Sequence, residues 1–251
     1  MEPQPTIPRN PIWGAWPTVG LGAAILVIYA IAQGAVAVII LVIVFAANPG
    51  LVTFDMTEIP SVGLIIALST FVSSIAGCGF IALCIKARRG ASIGNYLGLQ
   101  PITVKTILIL LAVALGFSVI ESVISYYADI STSDIFISAY QTSAWPPLFW
   151  LAIVLFAPLF EEVFFRGFLF VGLQRSRIGI IGTILVTSLI WTSLHAVQYD
   201  LFGLAVVFVM GIVLGLVRYR TGSLWSTLLM HAFWNLLAMI ALVLTVNGVF
   251  S

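Results

Sequence analysis

Glu161 and Glu162 stand side by side within Pro146–Leu173, an apolar run reading PPLFWLAIVLFAPLFEEVFFRGFLFVGL. Insertion scales put one charged side chain at the centre of a spanning helix at about 2.5–3.5 kcal/mol, so a chain rarely keeps two without a use. Arg166 follows four residues after Glu162. On a helix, residues four apart share a face and neighbours point about 100° apart. Glu162 and Arg166 are therefore expected to stack as an ion pair. Glu161 points elsewhere. The spacing suggests a division of labour: Glu162 with Arg166 as a structural clamp, and Glu161 as a carboxylate left to act as a general base. The same three residues also suit a helix-packing network with no chemistry. The chain has two histidines, His195 and His231, and both lie in apolar segments. His231 and Asn235 are four apart, an imidazole and an amide on one face. Trp191 lies one turn behind His195. Alone, such a histidine suits an interhelical hydrogen bond; beside the carboxylates it suits catalysis.

The elements that position these residues follow from composition. Of 251 residues, 61% are apolar and 8% charged, and the mean hydropathy is +1.18. That is far from a soluble domain. The net charge of +1 gives no sign of a nucleic-acid partner. No phosphate-binding, dinucleotide-binding or zinc-finger spacing is present. Seven apolar segments are long enough to approach the roughly 30 Å of a hydrocarbon core: 18–47, 62–85, 106–127, 146–173, 178–195, 201–217 and 223–246. The runs do not alternate polar and apolar, so an all-α, multi-pass transmembrane helix bundle is predicted rather than a barrel. About seven spans are expected, with an eighth or a re-entrant segment as the alternative. One membrane domain covers 1–251, with a catalytic core at 144–245. Placing the N-terminus in the cytoplasm puts Arg9, Lys86, Arg88, Arg89, Lys105, Arg175, Arg177, Arg218 and Arg220 on that side. Asp55, Glu58, Asp129, Asp134 and Asp200 then fall outside. The proline-bearing stretch before Pro17 has no apolar run and does not read as a signal peptide.

Several other residues carry expectations. Tyr96, Leu97 and Leu99, beside basic residues, suggest an interfacial stretch. Phe136, Tyr140 and Trp145 suit the outer headgroup region. Glu121, near the outer end of its segment, is expected to snorkel to the interface. Gly211 and Gly215 fit close helix packing. Cys78 and Cys84 lie about 9 Å apart along one helix, too far for a disulfide.

At the level of motifs, EEVFFRG at 161–167 resembles the E-E-x-x-x-R signature of the CPBP family, the type II CAAX prenyl proteases and bacteriocin-processing (Abi) proteins. WTSLH at 191–195 resembles its F-x-x-x-H motif, with Trp191 where phenylalanine is usual, a departure expected to affect only local packing. HAFWN at 231–235 resembles its H-x-x-x-N motif, and GIVLGLVRYRTGSLW before it is also similar. The resemblance covers about the last 100 residues. It implies an intramembrane endopeptidase in the cell membrane, acting on a membrane-associated peptide or protein. In that reading Glu161 activates water with help from His195. His231 and Asn235 stabilise the oxyanion. Glu162, Arg166 and Trp191 support the geometry.

Zinc is a fork. Family members are often labelled metalloproteases, and Glu161, His195 and His231 are the natural ligands if zinc binds. The chain lacks H-E-x-x-H, and its residue inventory favours water activated by glutamate without a cofactor. Two other function classes fit the polar residues: an ion- or proton-coupled transporter, which expects inverted repeats that are not found here, and a non-catalytic membrane scaffold. One conflict stands. Straight helices put Glu161 about 18 Å deep, His231 about 12 Å and His195 about 25 Å, so the segment boundaries must give way if the motifs meet.

Overall fold

The structure, a computed structural model, describes residues 13–51, 53, 55, 58–59, 61–128 and 134–249. Arg9, Asp129 and most of the N-terminal proline-bearing stretch lie outside the described residues. Among the described residues the chain is all helix: α1 (Ala15–Ala47), α2 (Val62–Lys86), α3 (Ile93–Leu97), α4 (Val104–Tyr127), α5 (Asp134–Gln141), α6 (Pro146–Leu173), α7 (Gly179–Ser193), α8 (Leu201–Thr221) and α9 (Leu224–Val246). Six are long and apolar enough to span: α1, α2, α4, α6, α8 and α9. The protein is a multi-pass transmembrane helix bundle.

The segment predicted at 178–195 is shorter than expected. Helix α7 holds 15 residues, a rise of about 22 Å against a hydrocarbon core of about 30 Å. It turns at 194–198 and packs against α8, which begins at Leu201 under an Asp200 cap (Gly203 N–H to Asp200 Oδ1, 2.8 Å). The pair is a hairpin, so α8 ends on the face where α7 begins. Gly211 and Gly215 make that hairpin tight. A Cβ on Gly211 would lie 2.9 Å from the Ser188 Cβ, and one on Gly215 would lie 2.9 Å from Ile184 Cγ2.

Helix α6 departs from α geometry twice. Residues Ala152–Phe156 and Glu162–Leu169 are π-helical, a conformation that is rare and concentrated at functional sites. The sequence explains part of this. The Ala157 N–H reaches five residues back to Ala152 O. The next donor in that register belongs to residue 158, a proline without an N–H. Ile153 O is thereby left without a helical donor. At the second stretch the Phe170 N–H reaches back to Phe165 O, and α geometry resumes at Phe170. The return to the shorter register skips the next carbonyl, that of Arg166.

The core is built around this broken helix. Phe160, Phe164, Phe165 and Phe168 are buried with Ile25, Ile81, Trp191, Met210 and Met230. One expectation about the interface is overturned. Tyr96 and Leu97 are buried, 1% and 5% exposed, under the second π-stretch rather than lying on lipid. Burial pushes the Tyr96 phenol above its ordinary range. On the other side, α5 folds onto α2 so closely that a Cβ on Gly63 would collide with Ala139 O. Phe136 and Tyr140 consequently pack against the bundle, while Trp145 stays exposed.

Candidate active site

The two glutamates sit in different surroundings. Glu162 is fully buried, whereas the Glu161 side chain is 18% exposed. Glu162 Oε1 accepts from Arg166 Nη1 at 2.9 Å and from His231 Nδ1 at 2.9 Å. Arg166, also fully buried, donates through Nη2 to Gly211 O on α8 at 3.1 Å. Its guanidinium lies 4.7 Å from the Trp191 ring centre, a contact that favours the cation. The pair predicted from the four-residue spacing therefore forms and ties α6 to α8 and α9.

Glu161 faces α7. Its Oε2 accepts from the indole Nε1 of Trp191 at 2.7 Å and lies 3.8 Å from His231 Nε2. Trp191 is thus more than packing, which corrects the expectation for the second motif. A phenylalanine at that position has no N–H to offer the carboxylate. The same indole lies edge-on to both histidines, with ring centres 5.3 Å from His195 and 5.2 Å from His231.

His195 is half-buried and lies beyond the end of α7, in the turn. Its Nδ1 is 2.8 Å from Trp191 O. A carbonyl only accepts, so Nδ1 carries the proton, and Nε2 is the basic nitrogen of the neutral ring. Among the described residues no hydrogen bond joins His195 to Glu161; Trp191 touches both. Asn235 donates through Nδ2 to Ile153 O at 2.8 Å. It takes the carbonyl that Pro158 leaves open in the first π-stretch. An amide nitrogen has two hydrogens, so one anchors Asn235 on α6 and the other remains for a ligand.

The structure thus gathers Glu161, Glu162, Arg166, Trp191 and His231 into one connected cluster. It brings His195 to that cluster through Trp191, and fixes Asn235 on α6 at Ile153, about two turns before Glu161. The depth conflict dissolves through local structure: π-stretches break the straight helix, α7 stops at Ser193, and a large indole bridges what remains.

The trio named for zinc does not converge. Trp191 stands edge-on to both histidines. Among the described residues no group of three or more His, Cys, Asp or Glu side chains is placed to hold a metal. Zinc–nitrogen bonds of about 2.0–2.1 Å need ligands converging on one point, so no step is derived through zinc.

Three residues near the cluster escaped the sequence reading. Glu121 does not snorkel. It lies on the inner face of α4, and its Oε2 accepts from Trp234 Nε1 at 3.3 Å. Trp234, three residues after His231, is packed edge-on against Phe117 with ring centres 5.7 Å apart. Tyr199 stacks on His195, with ring centres 6.0 Å apart, and meets Phe136 at a tilt, with ring centres 5.5 Å apart. Burial first, then the charges of Glu121 and Glu161, hold its phenol above the ordinary tyrosine range. The four-residue spacing from His195 was the one available signal for Tyr199. Arg218, counted by sequence as a cytoplasmic charge, is buried, 2% exposed.

A groove of about 320 Å³ between α4 and α8, lined by Thr106, Leu110, Val213 and Arg220 among others, contains none of these residues.

No curated protein and no solved structure matches the chain. Residues 143–237 match the family model described as type II CAAX prenyl endopeptidase Rce1-like. That stretch holds both glutamates, both histidines, Arg166, Trp191 and Asn235, so over this part of its length the chain is similar to the Rce1-like, type II CAAX prenyl endopeptidase family.

Proposed function

We propose that the protein cleaves a peptide bond of a membrane-associated peptide or protein, with Glu161 as the general base. The observation that carries this reading is the inequality of the two carboxylates. Glu162 is enclosed and accepts from Arg166 and His231. Glu161 is partly open and held at one oxygen by Trp191, which leaves Oε1 for a water. Glu161 takes a proton from that water, and the oxygen bonds to the scissile carbonyl carbon. The oxyanion meets Asn235 Nδ2 and His231 Nε2. Because His231 Nδ1 already donates to Glu162, donation from Nε2 requires the doubly protonated ring. Collapse of the intermediate breaks the C–N bond, and Glu161 returns the proton to the leaving amine. His195, with Nδ1–H fixed on Trp191 O, offers Nε2 to the same water.

In this reading the catalytic core at 144–245 belongs to one membrane domain, the N-terminus is cytoplasmic and the protein lies in the cell membrane. Water activation needs no cofactor, so chelators leave turnover unchanged. Glu161→Gln keeps the side-chain shape and removes the base. Turnover of a processed membrane peptide should fall by about 10²–10⁴-fold, with the thermal midpoint in detergent unchanged. Equal turnover for wild type and Glu161→Gln would overturn the reading.

A further inference from the structure

Arg218 lies in the last turn of α8, where a basic residue ordinarily meets water and headgroups. Its side chain is instead buried, and its guanidinium is spent on backbone carbonyls of three elements. Nε donates to Arg166 O at 2.9 Å, Nη2 to Leu97 O at 3.0 Å at the end of α3, and Nη1 to Gly222 O in the turn before α9. Among the described residues it forms no ion pair with a carboxylate. The surroundings are shaped to the group. Gly98 has φ +69°, and a Cβ there would lie 2.6 Å from Arg218 Nη2. Gly98 O accepts from the Leu224 N–H at 2.9 Å, and the Ser223 hydroxyl donates to Gln100 O. The loop between α3 and α4 and the α8–α9 turn together clasp the guanidinium.

The carbonyl it takes on α6 is informative. Arg166 O is the one skipped where the second π-stretch returns to α geometry. In a bilayer no water replaces a missing donor. The alternative open to the helix is to shed the π register. A π-bulge is one extra residue, and its loss turns the side chains on one side by about 100° relative to the other. Glu161, Glu162 and Arg166 lie at this stretch. Arg218 therefore does for the second π-stretch what Asn235 does for the first.

We propose that Arg218 is a positioning residue of the protease: it fixes the π register of 162–169 through Arg166 O, and so aims the Glu162–Arg166 pair and His231. The proposal rests on the protease reading. Its test compares three variants with wild type by peptide cleavage and by backbone hydrogen exchange. Arg218→Lys keeps the charge but cannot span three carbonyls. Gly98→Ala presses on Nη2 and leaves the guanidinium intact. Ser223→Ala loosens the same clasp without touching Arg166 O.

Arg218→Lys should lower kcat on the order of 10²-fold, the effect of misplacing a reacting group by about 1 Å, with KM unchanged. Gly98→Ala should show the same split more weakly. Ser223→Ala should keep kcat even where its thermal midpoint falls. Exchange at amides 163–171 should rise in Arg218→Lys and stay unchanged in Ser223→Ala. Should Arg218→Lys fail to fold, the Gly98→Ala split carries the test. A wild-type kcat in both Arg218→Lys and Gly98→Ala, a change in KM alone, or a kcat loss that tracks thermal stability equally in Ser223→Ala would overturn the proposal. Unchanged exchange at 163–171 in Arg218→Lys would do so as well. A wild type that cleaves no peptide, with exchange responding as described, counts against the protease reading and leaves the register role standing.

Discussion

Helices α4 and α6 are both long and apolar enough to span, yet they solve opposite problems. Only 11% of the apolar window of α4 is buried inside the protein, against 44% of that of α6. Leu108, Ile109, Val113 and Ile120 of α4 are exposed on the bundle surface, where lipid receives them at no cost. One stripe, Leu110, Ala114, Phe117 and Glu121, faces inward. Helix α6 carries two buried charges and two π-stretches, and the bundle supplies partners for them: Arg166 meets Glu162 on the same helix and the Gly211 carbonyl of α8, Ile153 O meets Asn235 of α9, and Arg166 O meets Arg218 of α8. A helix in lipid keeps its backbone bonds to itself unless a partner can complete them. The broken helix is therefore confined to the centre of the bundle, and the candidate site sits where such partners are.

The comparison breaks most sharply at the ion pair. Glu162→Gln or Arg166→Ala leaves one buried charge without its partner. Such losses cost about 3–5 kcal/mol. Val113→Ala, on the lipid side of α4, should stay within about 0.5 kcal/mol of wild type. Denaturant titration in detergent separates the two outcomes. An α6 variant as stable as Val113→Ala would mean that the buried pair does not anchor the bundle.

The first π-stretch offers a finer test. Asn235→Ala leaves Ile153 O without a donor, at a cost of about 1–3 kcal/mol. Pro158→Ala supplies the missing N–H, which can reach the same carbonyl. Losing Asn235 should therefore cost less in the Pro158→Ala background. A double-mutant cycle on stability should give a coupling of about 1 kcal/mol. Strict additivity would show that the proline does not create the vacancy that Asn235 fills.

How much of this was legible depends on whether a feature is local. The apolar runs, the Glu162–Arg166 pairing and the close approach at Gly211 and Gly215 are matters of spacing along one helix, and they read directly. The π-stretches do not read, because the apolar pattern of α6 is the same in either register. Pro158 was the available clue, and its effect appears only when one asks which carbonyl loses its donor. Arg218 read as a cytoplasmic charge because Lys and Arg usually are, and only the fold shows carbonyls of three elements around it. Glu121 with Trp234, and Tyr96 under α6, are pairings across distant parts of the chain that no periodicity encodes. The depth estimates failed for the same reason: they assumed straight helices starting from one plane.

The smallest expected effect concerns the bond that joins α7 to Glu161, the proposed general base. Trp191→Phe keeps a ring between the two histidines and removes the N–H that reaches Glu161 at 2.7 Å. In the proposed mechanism the bond fixes which oxygen faces the water, and losing it frees the side chain to rotate away from the productive geometry. The expected result is a fall in kcat of about three- to tenfold, about 1 kcal/mol in barrier, with KM and thermal midpoint nearly unchanged. A variant as fast as wild type, or faster, would show that the indole does not aim the carboxylate.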